Sequence, residues 1–83
     1  MNLPLLKQLT EAHGVPGQED AIRDIVRTAL KGHCEFETDL LGNLTCYRAG
    51  KGAKKLMLAA HMDEIGFIVK FVDDKGFLRL QPL

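Results

Sequence analysis

The stretch that decides the fold is Leu56-Met57-Leu58-Ala59-Ala60-His61-Met62-Asp63-Glu64-Ile65-Gly66-Phe67. Five apolar residues run without interruption into a histidine, two acids and a glycine. A continuous apolar run predicts a strand buried on both faces, as in a sheet covered on both sides, and we expect that strand over Lys55 to His61. Polar side chains at the carboxyl end of such a strand stand where open α/β sheets place their ligands. On a strand, residues two apart point the same way, so the His61 imidazole and the Asp63 carboxylate are expected side by side. A carboxylate bonded to one ring nitrogen fixes the tautomer and makes the other nitrogen a better metal ligand. The plain alternative is a His–Asp pair that serves structure alone. Burying such a pair costs desolvation unless it is paired or metal-bound, which favours a functional site.

Outward from this stretch the chain divides in two. Asn2 is expected to cap a first helix that tolerates Pro4 in its opening turn, carries Leu5, Leu6, Leu9 and Ala12 at helical spacing, and stops at Gly14. Gly14-Val15-Pro16-Gly17 reads as a loop. A second helix opens at Gln18-Glu19-Asp20, with acids where they complement its dipole, and carries Ala21, Ile22, Ile25, Val26, Ala29 and Leu30 before Gly32. From His33 onward the period changes to two. Cys34 and Phe36 alternate with Glu35 and Glu37 in a strand, Leu41-Gly42-Asn43 turns, and Leu44 to Ala49 returns. Gly50 to Ala53 turns again. Gly66 to Val72 and Phe77 to Leu80 form a hairpin around Asp73-Asp74-Lys75-Gly76. The fold class expected is α/β, with two N-terminal helices packed on a mixed β-sheet.

Composition excludes several functions. With 83 residues, eleven basic and eleven acidic, the chain has no net charge to attract nucleic acid. No apolar run approaches the roughly 20 residues of a membrane helix, and the N-terminus has no signal-peptide pattern. We expect a cytoplasmic protein whose two cysteines, Cys34 and Cys46, are reduced and half-buried. His33, Cys34, Cys46 and His61 lack the paired spacing of a structural zinc site. Asp63 and Glu64 are expected to point apart, which argues against the facing carboxylates of a glycosidase. Glu64 suits a pocket rim or a structural ion pair equally well. The Gly14–Gly17 loop has no phosphate-loop lysine, and neither cysteine has a neighbour that would activate it.

The stretch Leu58 to Phe67, with His61-Met62-Asp63-Glu64-Ile65-Gly66 at its centre, resembles the metal-site strand of the tetrahedral aminopeptidases, co-catalytic dizinc peptidases related to the glutamyl and deblocking aminopeptidases. Three further segments resemble that family in the same order: Leu9 to Glu19, Asp39 to Leu44, and Asp73 to Leu78. The resemblance implies that residues 1–83 are the N-terminal part of a catalytic domain, ending near an inserted dimerisation domain. It implies that His61 binds metal and that Asp63, the acid usually counted as catalytic, orients it. The complete enzyme would hold two divalent ions, zinc or cobalt, cleave short peptides at their N-terminus and assemble as a homo-oligomer, a dodecamer. This chain carries at most one weak metal site, since the remaining ligands and the general base have no counterpart in it. A chain of this kind is expected to be inactive alone, and the strand-like ending Leu78 to Leu83 reads as part of something longer. Two other readings stand beside it: a small non-catalytic α/β module that binds a partner through its exposed C-terminal edge strand, and one subunit of a split enzyme.

Overall fold

The computed structural model describes all 83 residues. Helix α1 spans Leu3–Glu11 and helix α2 spans Asp20–Leu30. Strands follow at Glu35–Thr38 (β1), Leu44–Tyr47 (β2), Phe67–Val72 (β3) and Leu78–Pro82 (β4). The class is α/β as expected. The single mixed sheet is not what forms. Instead β1 pairs with β2 and β3 with β4, each antiparallel, in two separate two-stranded sheets. The reason lies in the middle. Residues 55–61, expected as the buried strand that would join the two halves, form no strand and pair with nothing. Leu56, Met57 and Leu58 are 87%, 85% and 88% exposed. A strand needs a ladder partner about 4.8 Å away on at least one side, and no segment of the chain lies there.

Local chemistry explains the elements that do form. The Asn2 side chain accepts from Leu5 N at 3.1 Å and starts α1. Helix α1 ends at Ala12, whose backbone is already extended. Gly14 is therefore not a left-handed helix stop, and its backbone has no positive φ. In α2, Ile22 is buried and Ile25, Val26 and Leu30 are half-buried. Ala21 and Ala29, expected on the same face, are exposed, and Arg23 and Arg27 take part of that face instead. Arg23 donates to Gly42 O at 2.9 Å and pairs with Asp20 and with Glu19. Arg27 bonds Thr38. These two guanidinium groups dock α2 on the β1–β2 hairpin.

Three residues are buried: Gly14, Ile22 and Gly66. They lie together, so what core the chain has sits where the loop after α1 meets the end of the 56–67 stretch. The molecule extends 64 × 29 × 17 Å with a radius of gyration of 17.4 Å. A compact domain of this length would have about 12 Å. No helix is long and apolar enough to cross a membrane.

Candidate functional site

The carboxyl end of the 56–67 stretch is the one part of it that other residues fix. Glu64 N donates to Gly14 O at 2.8 Å, and this is the single hydrogen bond that joins residues 1–50 to residues 55–83. Two glycines make the approach possible. A Cβ on Gly14 would stand 2.9 Å from Ile22 Cγ1 and 3.3 Å from Met62 O. A Cβ on Gly66 would overlap Val15 Cγ1 and stand 2.9 Å from Val15 Cβ. Leu83 N donates to Gly66 O at 3.0 Å and ties the end of β4 to the same place. Glu19, at the start of α2, accepts from Gly17 N at 2.8 Å and holds the loop in position.

On this seat the structure brings His61 and Asp63 together, as the strand spacing predicts. His61 Nδ1 lies 3.1 Å from Asp63 Oδ1 and 3.0 Å from Asp63 O. A carbonyl oxygen and a carboxylate can only accept, so Nδ1 carries the proton. In the neutral imidazole that leaves the lone pair on Nε2, which bonds nothing in the chain. The His61 side chain is 86% exposed and that of Asp63 46%. The donor set suits one metal bond: a neutral imidazole nitrogen backed by a carboxylate. It does not make a coordination shell, because no three histidine, cysteine, aspartate or glutamate side chains converge anywhere in the chain. Glu64 is exposed and makes no side-chain bond.

The other cysteine and histidine positions stay apart from this seat. Cys34 and Cys46 are free and half-buried, as the sequence predicts, on the face of the β1–β2 hairpin that also carries Phe36. A shallow hollow of about 310 Å³ lies beside His33, Cys34, Tyr47 and Arg48 and includes none of residues 61–66. It holds no convergent set of charged groups.

The M42 glutamyl aminopeptidase family matches residues 42–83, a span that contains His61, Asp63 and both strands after them. The chain belongs to that family. A second family description, AMPT, matches residues 2–25, the first helix, the loop and the start of the second helix. A candidate aminopeptidase of Acetivibrio thermocellus is 52% identical over 81 residues, which is 95% of this chain and 24% of that protein. The lysyl aminopeptidase of Pyrococcus furiosus is 43% identical over 81 residues, again 95% of this chain and 23% of that protein. Among solved structures, an aminopeptidase from the archaeon Desulfurococcus kamchatkensis superposes with a TM-score of 0.81 at 44% identity, covering 95% of this chain and 22% of that one. The chain thus spans about a quarter of the length of the relatives it matches.

Sequence reasoning anticipated the contact between His61 and Asp63. It missed Gly14, Val15 and Gly66 as the residues that seat them. For Gly66 the signal was glycine itself, since a glycine at the edge of a strand pattern marks a close approach of backbone.

Proposed function

We propose that residues 1–83 are the N-terminal part of the catalytic domain of a metal-dependent aminopeptidase that removes N-terminal residues from short peptides. The observation that supports this is the His61–Asp63 pair, with its proton on Nδ1 and its Nε2 unbonded, inside the span that matches the family. In this reading His61 Nε2 ligates one of two divalent ions, zinc or cobalt, and Asp63, through its backbone carbonyl as well as its carboxylate, keeps the imidazole in the ligating tautomer. Such a pair of ions supplies a nucleophilic water at neutral pH and polarises the scissile carbonyl. The work of this chain's own residues is positional. Asp63 holds the ring, Gly14 and Val15 hold the segment that carries it, and Glu64 stands at the rim. The other ligands and the general base belong to polypeptide outside these residues. The working enzyme is a cytoplasmic homo-oligomer, dodecameric in the complete protein.

The purified 83-residue chain, with zinc or cobalt added, is expected to show no hydrolysis of an aminoacyl-nitroanilide. Turnover above a metal-only blank that Asp63→Ala abolishes would overturn the division of labour between this chain and the missing ligands.

A second reading rests on β4. Its outer edge is unpaired and its leucines are half-exposed, which suits the addition of a strand from a partner. A non-catalytic module of that kind is expected to be a monodisperse monomer with one cooperative melt. Self-association that disappears when Leu80 is replaced by lysine speaks for an unsatisfied edge rather than a finished module.

A further inference from the structure

The peptide unit between Asp63 and Glu64 is bonded at both ends. Its N–H donates to Gly14 O at 2.8 Å. Its carbonyl oxygen accepts from His61 Nδ1 at 3.0 Å. Gly14 C=O, the 63–64 peptide and the His61 ring therefore form one continuous chain of hydrogen bonds. Amides in such a chain polarise one another, so a carbonyl whose own N–H is already donating is a stronger acceptor.

The two acceptors of Nδ1 differ in how they are held. The Asp63 carboxylate sits on a side chain that is 46% exposed, where water competes for it. The Asp63 carbonyl belongs to backbone fixed at the buried joint. Gly14 is buried against Ile22, and Gly66, two residues beyond Glu64, is buried against Val15. The backbone arm is the rigid one.

We propose that Gly14 is a positioning residue for His61, acting through the 63–64 peptide to hold the imidazole in its Nδ1–H form whether or not the Asp63 carboxylate is present. This explains why the position is glycine although its φ is ordinary. Any side chain there pushes on Ile22 Cγ1 and Met62 O, and displaces the carbonyl that anchors the peptide. The consequence for metal binding rests on the assignment of Nε2 as a ligand. The hydrogen-bond chain itself does not.

The test is nitrogen-15 NMR of the full 83-residue chain, at a pH where the ring-nitrogen shifts themselves show the His61 ring to be neutral. Long-range proton–nitrogen correlations of His61 report the tautomer, and amide exchange reports the Glu64 N–H. The unaltered chain is expected to show the Nδ1–H form, and Asp63→Ala is expected to keep it predominant. Gly14→Ala is expected to speed Glu64 exchange about tenfold, the scale of one net hydrogen bond, and to shift His61 to the two-tautomer mixture of a free imidazole. Collapse to that mixture in Asp63→Ala alone overturns the proposal, and it decides the matter even where Gly14→Ala does not fold. A folded Gly14→Ala with the tautomer and Glu64 exchange unchanged overturns it equally. Titration with Zn²⁺ reads the functional assignment separately: perturbation at Nε2 supports His61 as a ligand, and an intact tautomer without it leaves Gly14 standing as the positioner of the ring.

Discussion

The two hairpins are turned by the same device and meet different fates. In β1–β2, Asp39 Oδ1 accepts from Leu41 N and Asn43 N at 2.9 Å each, and Gly42 has a φ of 85°. In β3–β4, Asp73 Oδ1 accepts from Lys75 N and Phe77 N at 2.9 Å each, and Gly76 has a φ of 83°. An aspartate, two free positions and a left-handed glycine thus write the turn twice. Only the first hairpin is covered. Arg23 and Arg27 lay α2 against it, and Cys34, Phe36, Leu44 and Cys46 turn inward and lose part of their exposure. The second is longer and more apolar, with a bulge at Lys70, yet every residue from Phe67 to Val72 is exposed. Turn chemistry makes a hairpin, and a neighbouring layer makes it part of a core.

The largest expected effect tests whether burial, not residue type, carries the stability. Ile22→Ala should cost about 2 kcal/mol, because Ile22 is buried beside Gly14. Ile68→Ala, on a residue 55% exposed, should stay within about 0.5 kcal/mol. Chemical denaturation of both variants checks this, and equal costs would erase the contrast between the two halves. Next comes the docking itself. Arg23 is 11% exposed and donates to Gly42 O. Arg23→Ala should therefore cost about 1.5 kcal/mol, the scale of a hydrogen bond from a charged group. Amide exchange should accelerate in β1–β2 and stay constant in β3–β4.

The smallest effect is a pH dependence confined to the first turn. Hydrogen bonds to Asp39, led by the Asn43 side-chain amide at 2.9 Å, hold its carboxyl below the ordinary aspartate value of 3.8. A carboxyl lowered in the folded state stabilises that state above its unfolded pKa. The contribution is lost as pH falls below 3.8 and through the folded value. Asn43 resonances should therefore move at lower pH than those of an unfolded aspartyl peptide, and Asn43→Ala should bring the Asp39 titration back toward the ordinary value. A titration unmoved by that substitution breaks the argument.

Most of the local structure was legible in the residues. Asn2 as a cap, the acids that open α2, Gly32 at its end, the alternation from Cys34 to Glu37 and both turns are encoded within a few neighbours of each position. So was the meeting of His61 with Asp63, which involves residues only two apart. The strand over residues 55–61 was misread for a physical reason. An uninterrupted apolar run states the surroundings a segment requires, and it cannot state that this chain provides them. The seat of His61 was illegible for a related reason. Gly14 and Glu64 lie about fifty residues apart, and nothing in the composition of either neighbourhood names the other.

That separation has a kinetic consequence. Each hairpin closes around a four-residue turn on a scale of about 1–10 μs. The Gly14–Glu64 bond must close a loop of about fifty residues, whose length-dependent entropy alone is on the order of 3–4 kcal/mol. One net hydrogen bond returns about 1 kcal/mol. The contact therefore depends on Ile22 and Val15 packing at the same moment, and it forms after the helices and hairpins that carry its ends. The orientation of His61 is then the last thing the chain acquires as it folds and the first it gives up when warmed.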